Sequence, residues 1–565
     1  MLKFNLKFVL PVAAILSGLM MAGYFIPAGS AQTPEDNRPR GILRGRVLSQ
    51  YGPVEKARVR IAGENNFTLT DRQGGYEFQS AYTPGSQPIV TAGKEGWFNN
   101  GQPANFLGRT KDIFLNPIYL DDRHNYRFIS PVTCSQCHTK LTRYWDQSKM
   151  AHTTSNPKVL DMYYGTDAFR RQGSGPGYRL DNPQSEGNCT TCHAPSVARS
   201  IPRSQDLKNV LRSPSTEWDG ISCDYCHKVR KIIKDENSPS GTAAILERQS
   251  ASQGNSILVF GPYDDVTAPP MAATYNPLLD QGSFCSICHN HYQKLARGRS
   301  WKSESVYSAS ELKAFGLDDK TTLPIQTTYR EWKQWQDQLP ADDANKGKKC
   351  QDCHMSWRKE MLPYDNYVVD GNARNMWGTY RSPKDIHPHH FDGGTQTQLK
   401  TALALEVSGE TAEKILTVHV YITNTNGGHW VPTGETMRSV MLLLNVKDSS
   451  GKPLEMVKGN RLPDWAGKGK MEEGNYAGLP GAVFARILGD DDGNLNVPFW
   501  KATRVVSDTR IRPKKSVELK FEFAIEDPAD EPTAEASLIY RPAIRPLASI
   551  KNWDAKDILI TSKVW

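Results

Sequence analysis

The sequence predicts a multidomain chain in which an N-terminal β-sandwich and a C-terminal β-sandwich flank a mostly α-helical and irregular centre. Three observations carry this expectation. Residues 40–120 and 396–545 contain runs that alternate apolar and polar side chains, the period of a half-buried strand. Residues 121–395 show only patchy helical periodicity and are frequently interrupted by Gly, Pro and Asn. That same centre holds all ten cysteines of the chain, in pairs with a fixed two-residue gap. The length of 565 residues suits about three to four domains.

In chain order, Lys3 and Lys7 precede an apolar run from Phe8 to Ile26, which ends in Ala28-Gly29-Ser30-Ala31. This reads as a secretory signal peptide over residues 1–31, cut after Ala31. The rival is an uncleaved anchor, since the run approaches spanning length. The polar stretch Gln32–Arg40 favours cleavage, and the lack of a cysteine near the cut excludes a lipid anchor there. The β module over 40–120 contains Gly41–Leu48, a turn at Tyr51–Val54, the alternating Ala57–Ala62, a turn entering a strand at Thr70–Phe78, and Ile89–Trp97. Its residues Gly45-x-Val47, Gly52-Pro53-Val54-x-x-Ala57-x-Val59, Thr70-Asp71-x-x-Gly74-x-Tyr76-x-Phe78 and Ala92-x-Lys94-x-Gly96 resemble the carboxypeptidase regulatory-like (transthyretin-like) domain. That resemblance implies a structural or adhesive role, and no chemistry is assigned to the module.

The centre repeats one pattern five times: Cys134-Ser-Gln-Cys137-His138, Cys189-Thr-Thr-Cys192-His193, Cys223-Asp-Tyr-Cys226-His227, Cys285-Ser-Ile-Cys288-His289 and Cys350-Gln-Asp-Cys353-His354. C-x-x-C-H is the attachment signature of heme c. Two thiols bond to the porphyrin vinyl groups, and the adjoining His gives iron its proximal nitrogen. A zinc reading needs C-x-x-C pairs to share metals, and five is an odd number of pairs. It also leaves the His after every second Cys unexplained. A disulfide framework gives no reason for the fixed gap. Five covalently attached hemes would form the core themselves, so the peptide need not bury a continuous apolar face. The shortest spacing, 34 residues between Cys189 and Cys223, predicts that the second and third hemes are close neighbours.

The region resembles the cytochrome c554-like and hydroxylamine-oxidoreductase-like group of multiheme c-type cytochromes. The residues that carry the resemblance are Cys134-x-x-Cys137-His138 with Tyr144-Trp145-x-x-Ser148-x-x-x-His152, Gly187-Asn-Cys189-x-x-Cys192-His193-Ala-Pro195, Gly220-Ile-Ser-Cys223-Asp-x-Cys226-His227, Phe260-Gly-Pro262, Phe284-Cys285-x-x-Cys288-His289, and Thr328-Tyr329-x-Glu331-Trp332 before Cys350-Gln-Asp-Cys353-His354-Met355. The resemblance implies a multiheme architecture over 121–395 but not one reaction.

An electron-transfer heme takes a sixth ligand, usually His or Met. The chain has 13 histidines, so eight remain beyond the motifs: His124, His152, His291, His387, His389, His390, His419 and His429. His152 looks like the group's Ser-x-His ligand with two extra residues. His390, in His389-His390-Phe391-x-Gly393, looks like a ligand stretch that follows the last heme motif, and His387 and His389 could do the same job. His291 cannot ligate the iron of His289 and would serve a neighbouring heme. His124 lies ten residues before Cys134. His429, in Gly428-His429-x-Val-Pro432-Thr-Gly434, resembles an element of multiheme cytochromes with a C-terminal β domain and would fix that domain onto the heme core. Met271 could ligate iron or simply pack. Met355 is expected to pack on a ring, and His419 to face solvent on its strand.

Residues 396–545 contain the strands Leu416–Thr423, Met437–Val446 and Val517–Ile525, a turn at Asp448–Gly451 and an irregular insertion around Asp464–Pro498. Residues 546–565 read as a covering tail. The formal charge of +8 is spread along the chain, which excludes a nucleic-acid partner; heme propionates would offset much of it. The leading functional expectation is an exported pentaheme cytochrome that transfers electrons through closely spaced, mainly six-coordinate hemes. Its partners would be redox proteins: other cytochromes, quinol-oxidising complexes or terminal reductases. One alternative is a multiheme oxidoreductase acting on nitrite, hydroxylamine or a similar nitrogen or sulfur compound. Ammonia-forming nitrite reductases also have five hemes, but their catalytic heme has Lys in place of the motif His, and all five motifs here end in His. Another alternative is a subunit of an extracellular conducting filament or surface complex, a homo-oligomer. Location is expected to be periplasmic or extracellular, with membrane contact only through a partner or an uncleaved signal anchor.

Overall fold

The computed structural model describes residues 38–565 apart from 124, 201–205, 208–219, 250–256, 268–270, 318–319, 358–384, 528 and 530. The signal peptide read over 1–31 and the candidate ligand His124 lie outside the described residues.

The N-terminal module consists of two small sheets. In one, Arg40–Ser49 pairs antiparallel with Gly75–Ala81, Leu43 opposite Phe78. In the other, Arg58–Ile61 lies between Thr68–Leu69 and Ile89–Gly93, and Asn100–Pro103 adds an edge. The period-two pattern decides which side chains face in. Leu43 and Val47 of the first sheet meet Val59, Val90 and Ala92 of the second, all fully buried in one cluster. Burying each larger side chain contributes roughly 1.5–3 kcal/mol. The turn before Gly75 depends on glycine. Gly74 has φ +73°, and a Cβ there would lie 2.3 Å from the Val47 carbonyl oxygen. Asp71 stabilises the turn by accepting from the Gln73 and Gly75 amides at 2.8 and 2.7 Å.

The centre is built of short pieces. Two-stranded ribbons join Val229–Lys234 to Thr242–Leu246, Ile257–Gly261 to Met271–Tyr275, and His291–Lys294 to Thr322–Gln326. Helices are brief; Thr328–Gln338, at 11 residues, is the longest among the described residues. Apolar contacts break up into several small clusters rather than one core. The N-terminal module is joined to this region by an apolar cluster, Phe98 and Ile118 with Leu258 and Phe260, and by charge. Asp264 accepts from Arg58 Nε and from Arg60 Nη2, the latter at 2.7 Å, and Asp265 accepts from the Gly63 amide at 2.8 Å.

The C-terminal region has two four-stranded sheets. One runs Leu403–Ala412, Ile415–Asn424, Ser516–Ala524, Met456–Lys458; the other runs Gly481–Phe484, Ser439–Lys447, Thr533–Arg541, Ile558–Val564. Their inward residues, among them Leu416, Val418, Val420, Val440, Leu442, Phe521 and Leu538, form the largest apolar cluster of the described residues. His419 lies on the outer face beside Glu518 at 3.2 Å, as its alternation predicts. Two expectations need correction. The insertion is not irregular throughout: Gly481–Phe484 joins the second sheet and Arg486–Gly489 pairs with Arg504–Asp508. Residues 546–565 are more than a covering tail, because Ile558–Val564 completes a sheet and Lys551, fully buried, donates to the carbonyls of Asp161, Thr166 and Pro176 at 3.1, 2.9 and 2.7 Å. Those bonds tie the chain end to the centre. No helix of the described residues is long and apolar enough to cross a membrane.

Candidate functional site

Every C-x-x-C-H motif folds as one helical turn. The His138, His193, His227 and His289 amides donate to the carbonyls of Cys134, Cys189, Cys223 and Cys285 at 2.8–3.0 Å, and the fifth motif is the helix Cys350–His354. Positions i, i+3 and i+4 share one face of a helix, so both sulfurs and the imidazole point the same way. Local capping starts these turns. Ser130 caps the first, with Pro131 following it, and Ser222 accepts from the Tyr225 amide in the third.

The five faces converge. All ten cysteines and all five motif histidines line a single cavity of 2810 Å³, several times the roughly 300–1,000 Å³ of a pocket for one small ligand. Protein interiors tolerate few voids larger than a water molecule, so a cavity of this size is a place for prosthetic groups. The zinc alternative fails on geometry. Among the described residues no three His, Cys, Asp or Glu side chains gather to hold a metal ion, and none of the cysteines forms a disulfide.

The imidazoles are prepared as neutral ligands. Burial holds His193, His227, His354 and His429 below the usual histidine range; burial first, with the nearby Arg438 guanidinium and neighbouring histidines adding to it, brings His289 down to about 4. His227 donates from Nδ1 to the Phe260 carbonyl at 2.6 Å, His354 to the Asp392 carbonyl, and His429 to the Trp430 carbonyl at 3.0 Å. Each bond fixes the tautomer and leaves the Nε2 lone pair for a metal.

Two imidazole pairs then stand out. The His227 and His389 rings are near-parallel, their planes 22° apart, with centroids separated by 6.4 Å. The His354 and His429 rings lie 9° apart with centroids separated by 6.1 Å. Two metal–imidazole bonds of about 2.0–2.1 Å plus the reach of each ring would hold such centroids about 6.3 Å apart. The residues present therefore fit iron porphyrins held between facing imidazoles.

The other candidate ligands are dispersed. His291 lines the cavity, contacts Glu435 at 3.7 Å and lies near His193, so it is placed beside a motif other than its own. Met271 lines the cavity from the strand Met271–Tyr275. Two candidates, His152 and His390, are absent from the cavity lining among the described residues. His152 is exposed and donates from Nε2 to the Asp146 carbonyl at 2.7 Å. His390 donates from Nε2 to the Ser356 carbonyl at 2.7 Å; its neighbour His389 reaches the cavity instead. Adjacent side chains in that irregular stretch point to opposite sides, and only the observed backbone tells which one faces inward.

The thiols also reveal which motifs adjoin. The Cys134 thiol lies beside that of Cys223, Cys192 beside Cys288, and Cys285 beside Cys350. The first motif thus meets the third, the second meets the fourth, and the fourth meets the fifth. The short spacing between the second and third motifs does not translate into such a thiol pair.

Comparison with known proteins agrees with this geometry. Residues 133–228 match the family model described as cytochrome c554 and c-prime. Among solved structures, a penta-heme cytochrome c552 from Thermochromatium tepidum is 19% identical, with a TM-score of 0.51 over 78% of this chain and 99% of that one. The Fcho1 Mu homology domain of Danio rerio with bound Eps15 peptide is 10% identical over 28% of this chain and 44% of that one; its TM-score of 0.12 carries no argument. No curated protein matches the chain. Motifs, cavity and matches together support a multiheme c-type cytochrome fold with heme c as cofactor.

Proposed function

We propose that the chain is an exported pentaheme cytochrome whose job is to pass electrons along a folded line of hemes. Iron in heme c supplies reversible one-electron chemistry; the polypeptide's part is to hold, space and insulate. The observation that carries this reading is the two near-parallel imidazole pairs, His227 with His389 and His354 with His429, spaced as two ligands of one iron would be. Irons saturated by two imidazoles exchange electrons but have no room for a substrate. The five convergent motifs support the count of five. The thiol contacts support an order in which the first site touches the third, and the second, fourth and fifth form a connected group. Tyr225, buried in the cavity wall near Cys226, Cys288 and Cys192, is common to the two sets. His291 is the proposed sixth ligand for the His193 site, and Met271 remains a candidate at the cavity wall.

The two paired-sheet regions are read as β-sandwiches, the first of carboxypeptidase regulatory-like type. Export rests on the basic and apolar N-terminal sequence. Periplasmic or extracellular redox proteins are the proposed partners. The test is spectroscopic. Purified protein should carry five added hemes by mass, and its oxidised spectrum should be dominated by low-spin iron. A strong high-spin signal with rapid binding of nitrite or cyanide would instead support the oxidoreductase alternative.

A further inference from the structure

Beside the cavity, the helix Thr328–Gln338 buries a carboxylate that apolar packing does not need. Glu331 is 1% exposed. It accepts from Thr327 Oγ1 at 2.6 Å, Arg510 Nη1 at 2.7 Å, Thr433 Oγ1 at 2.9 Å and the Trp430 amide at 3.2 Å. Arg510 also grips Asp508 through Nε and Nη2, both at 2.8 Å. Arg486 donates to Asp508 at 2.9 Å and to the Pro324 and Ile325 carbonyls at 2.9 and 3.0 Å. Two carboxylates and two guanidiniums thus sit in the interior with their charges balanced. One member belongs to the heme-motif region and three to the C-terminal β region.

Such a cluster is a poor way to stabilise a fold, since desolvation offsets most of the attraction. Its placement indicates another use. Glu331 and Asn424 hold the two ends of the peptide unit that follows His429: the Trp430 amide donates to Glu331, and the His429 carbonyl accepts from Asn424 Nδ2 at 2.9 Å. The loop lies so close to the helix that a Cβ on Gly428 would be 2.7 Å from the Trp335 ring. Arg510 and Arg512 cover the Trp430 ring at 4.9 and 4.7 Å.

We infer that Glu331 is a positioning residue: the buried cluster fixes the His429 imidazole opposite His354 and sets the redox potential of the iron between them. This rests on the reading of His429 as a ligand given above. A carboxylate held close to an iron favours its more positive, oxidised state, so removing the charge raises the midpoint potential.

The test uses the heme-loaded, full-length protein. In the Glu331→Gln variant, one heme should gain high-spin character and a raised midpoint potential while the others keep theirs, and added imidazole should restore the low-spin signal. Glu331→Asp, which keeps the charge on a shorter arm, should recover the potential more than the spin state. His429→Ala serves as reference and should convert one heme to high spin. If His429→Ala leaves every heme low-spin, the ligand assignment fails and the inference falls with it. If His429→Ala converts one heme while Glu331→Gln matches the wild type in spectrum and in all potentials, the inference alone is overturned. Should Glu331→Gln not fold, Thr433→Val removes one of the four bonds to Glu331 without altering charge. A smaller shift confined to the same heme supports the inference, and an unchanged heme overturns it.

Discussion

At the scale of single residues, function turns on which imidazoles reach the cavity. His389 and His390 are adjacent, yet one faces His227 across 6.4 Å and the other is held by the Ser356 carbonyl. His389→Ala should convert one heme to a high-spin form that imidazole rescues, as read by absorption and electron paramagnetic resonance; His390→Ala should leave the spectrum unchanged. If the two variants behave the other way round, the pairing is wrong. Gly428 is constrained by space rather than by backbone angle. A methyl group there must displace the Trp335 ring or the loop, so Gly428→Ala should cost about 1–3 kcal/mol, the usual range for overpacking, measurable by denaturant titration. The five proximal ligands were legible in the sequence because covalent attachment demands a fixed spacing. The distal ligands were not, since a sixth ligand can come from any distance along the chain.

At the scale of elements, the short motif helices hold their positions through buried polar partners. Asp224, inside the third motif, accepts from Tyr126 Oη and from the Ile129 amide, both at 2.8 Å, and pairs with Lys228 Nζ at 2.9 Å. Ile129 lies just before the first motif, so one carboxylate docks the first motif onto the third. Lys228 is 1% exposed, and stripping the charge from its partner leaves an uncompensated ammonium. Asp224→Asn should therefore destabilise the protein by about 3–5 kcal/mol, read from the midpoint of chemical unfolding; a loss below about 1 kcal/mol would match an exposed pair instead. The strands of the two β regions were readable in sequence from their alternation. The last strand, Ile558–Val564, was missed because pairing with Thr533–Arg541, not its own pattern, gives it a place in the sheet.

At the scale of the whole molecule, charge clusters and shared apolar clusters join the regions; Tyr307 and Phe315 of the centre pack with Trp430 and Leu488 of the C-terminal region, and Phe98 packs with Leu258 and Phe260. Asp264 gathers Arg58 and Arg60 and fastens the N-terminal module to the centre. In Asp264→Ala, limited proteolysis near residues 115–125 should accelerate while the heme spectrum stays unchanged; equal cleavage rates would mean the sheets dock by other contacts. The cluster around Glu331 also makes a prediction for acid. Burial alone would raise Glu331 and Asp508, but Arg510 and Arg486 outweigh it and hold both carboxyls below their ordinary values of 4.5 and 3.8. Depressed groups contribute stability that is present above the unfolded-state value and lost as pH falls through the folded one. Thermal stability from this cluster should stay level from pH 8 to about pH 5 and decline only below about 4.5. A decline beginning near neutrality would assign the acid sensitivity to histidines instead.

The sequence by itself determined the attachment chemistry, because five C-x-x-C-H turns bring two sulfurs and an imidazole to one face wherever they sit in a fold. It also indicated the β character of both flanks, through a period that backbone geometry imposes. Tertiary structure alone decided which motifs adjoin, which histidine faces each motif imidazole, and that Glu331 lies behind His429. Those facts depend on close approach between residues far apart in the chain, and no local pattern records where a buried carboxylate finds its guanidinium.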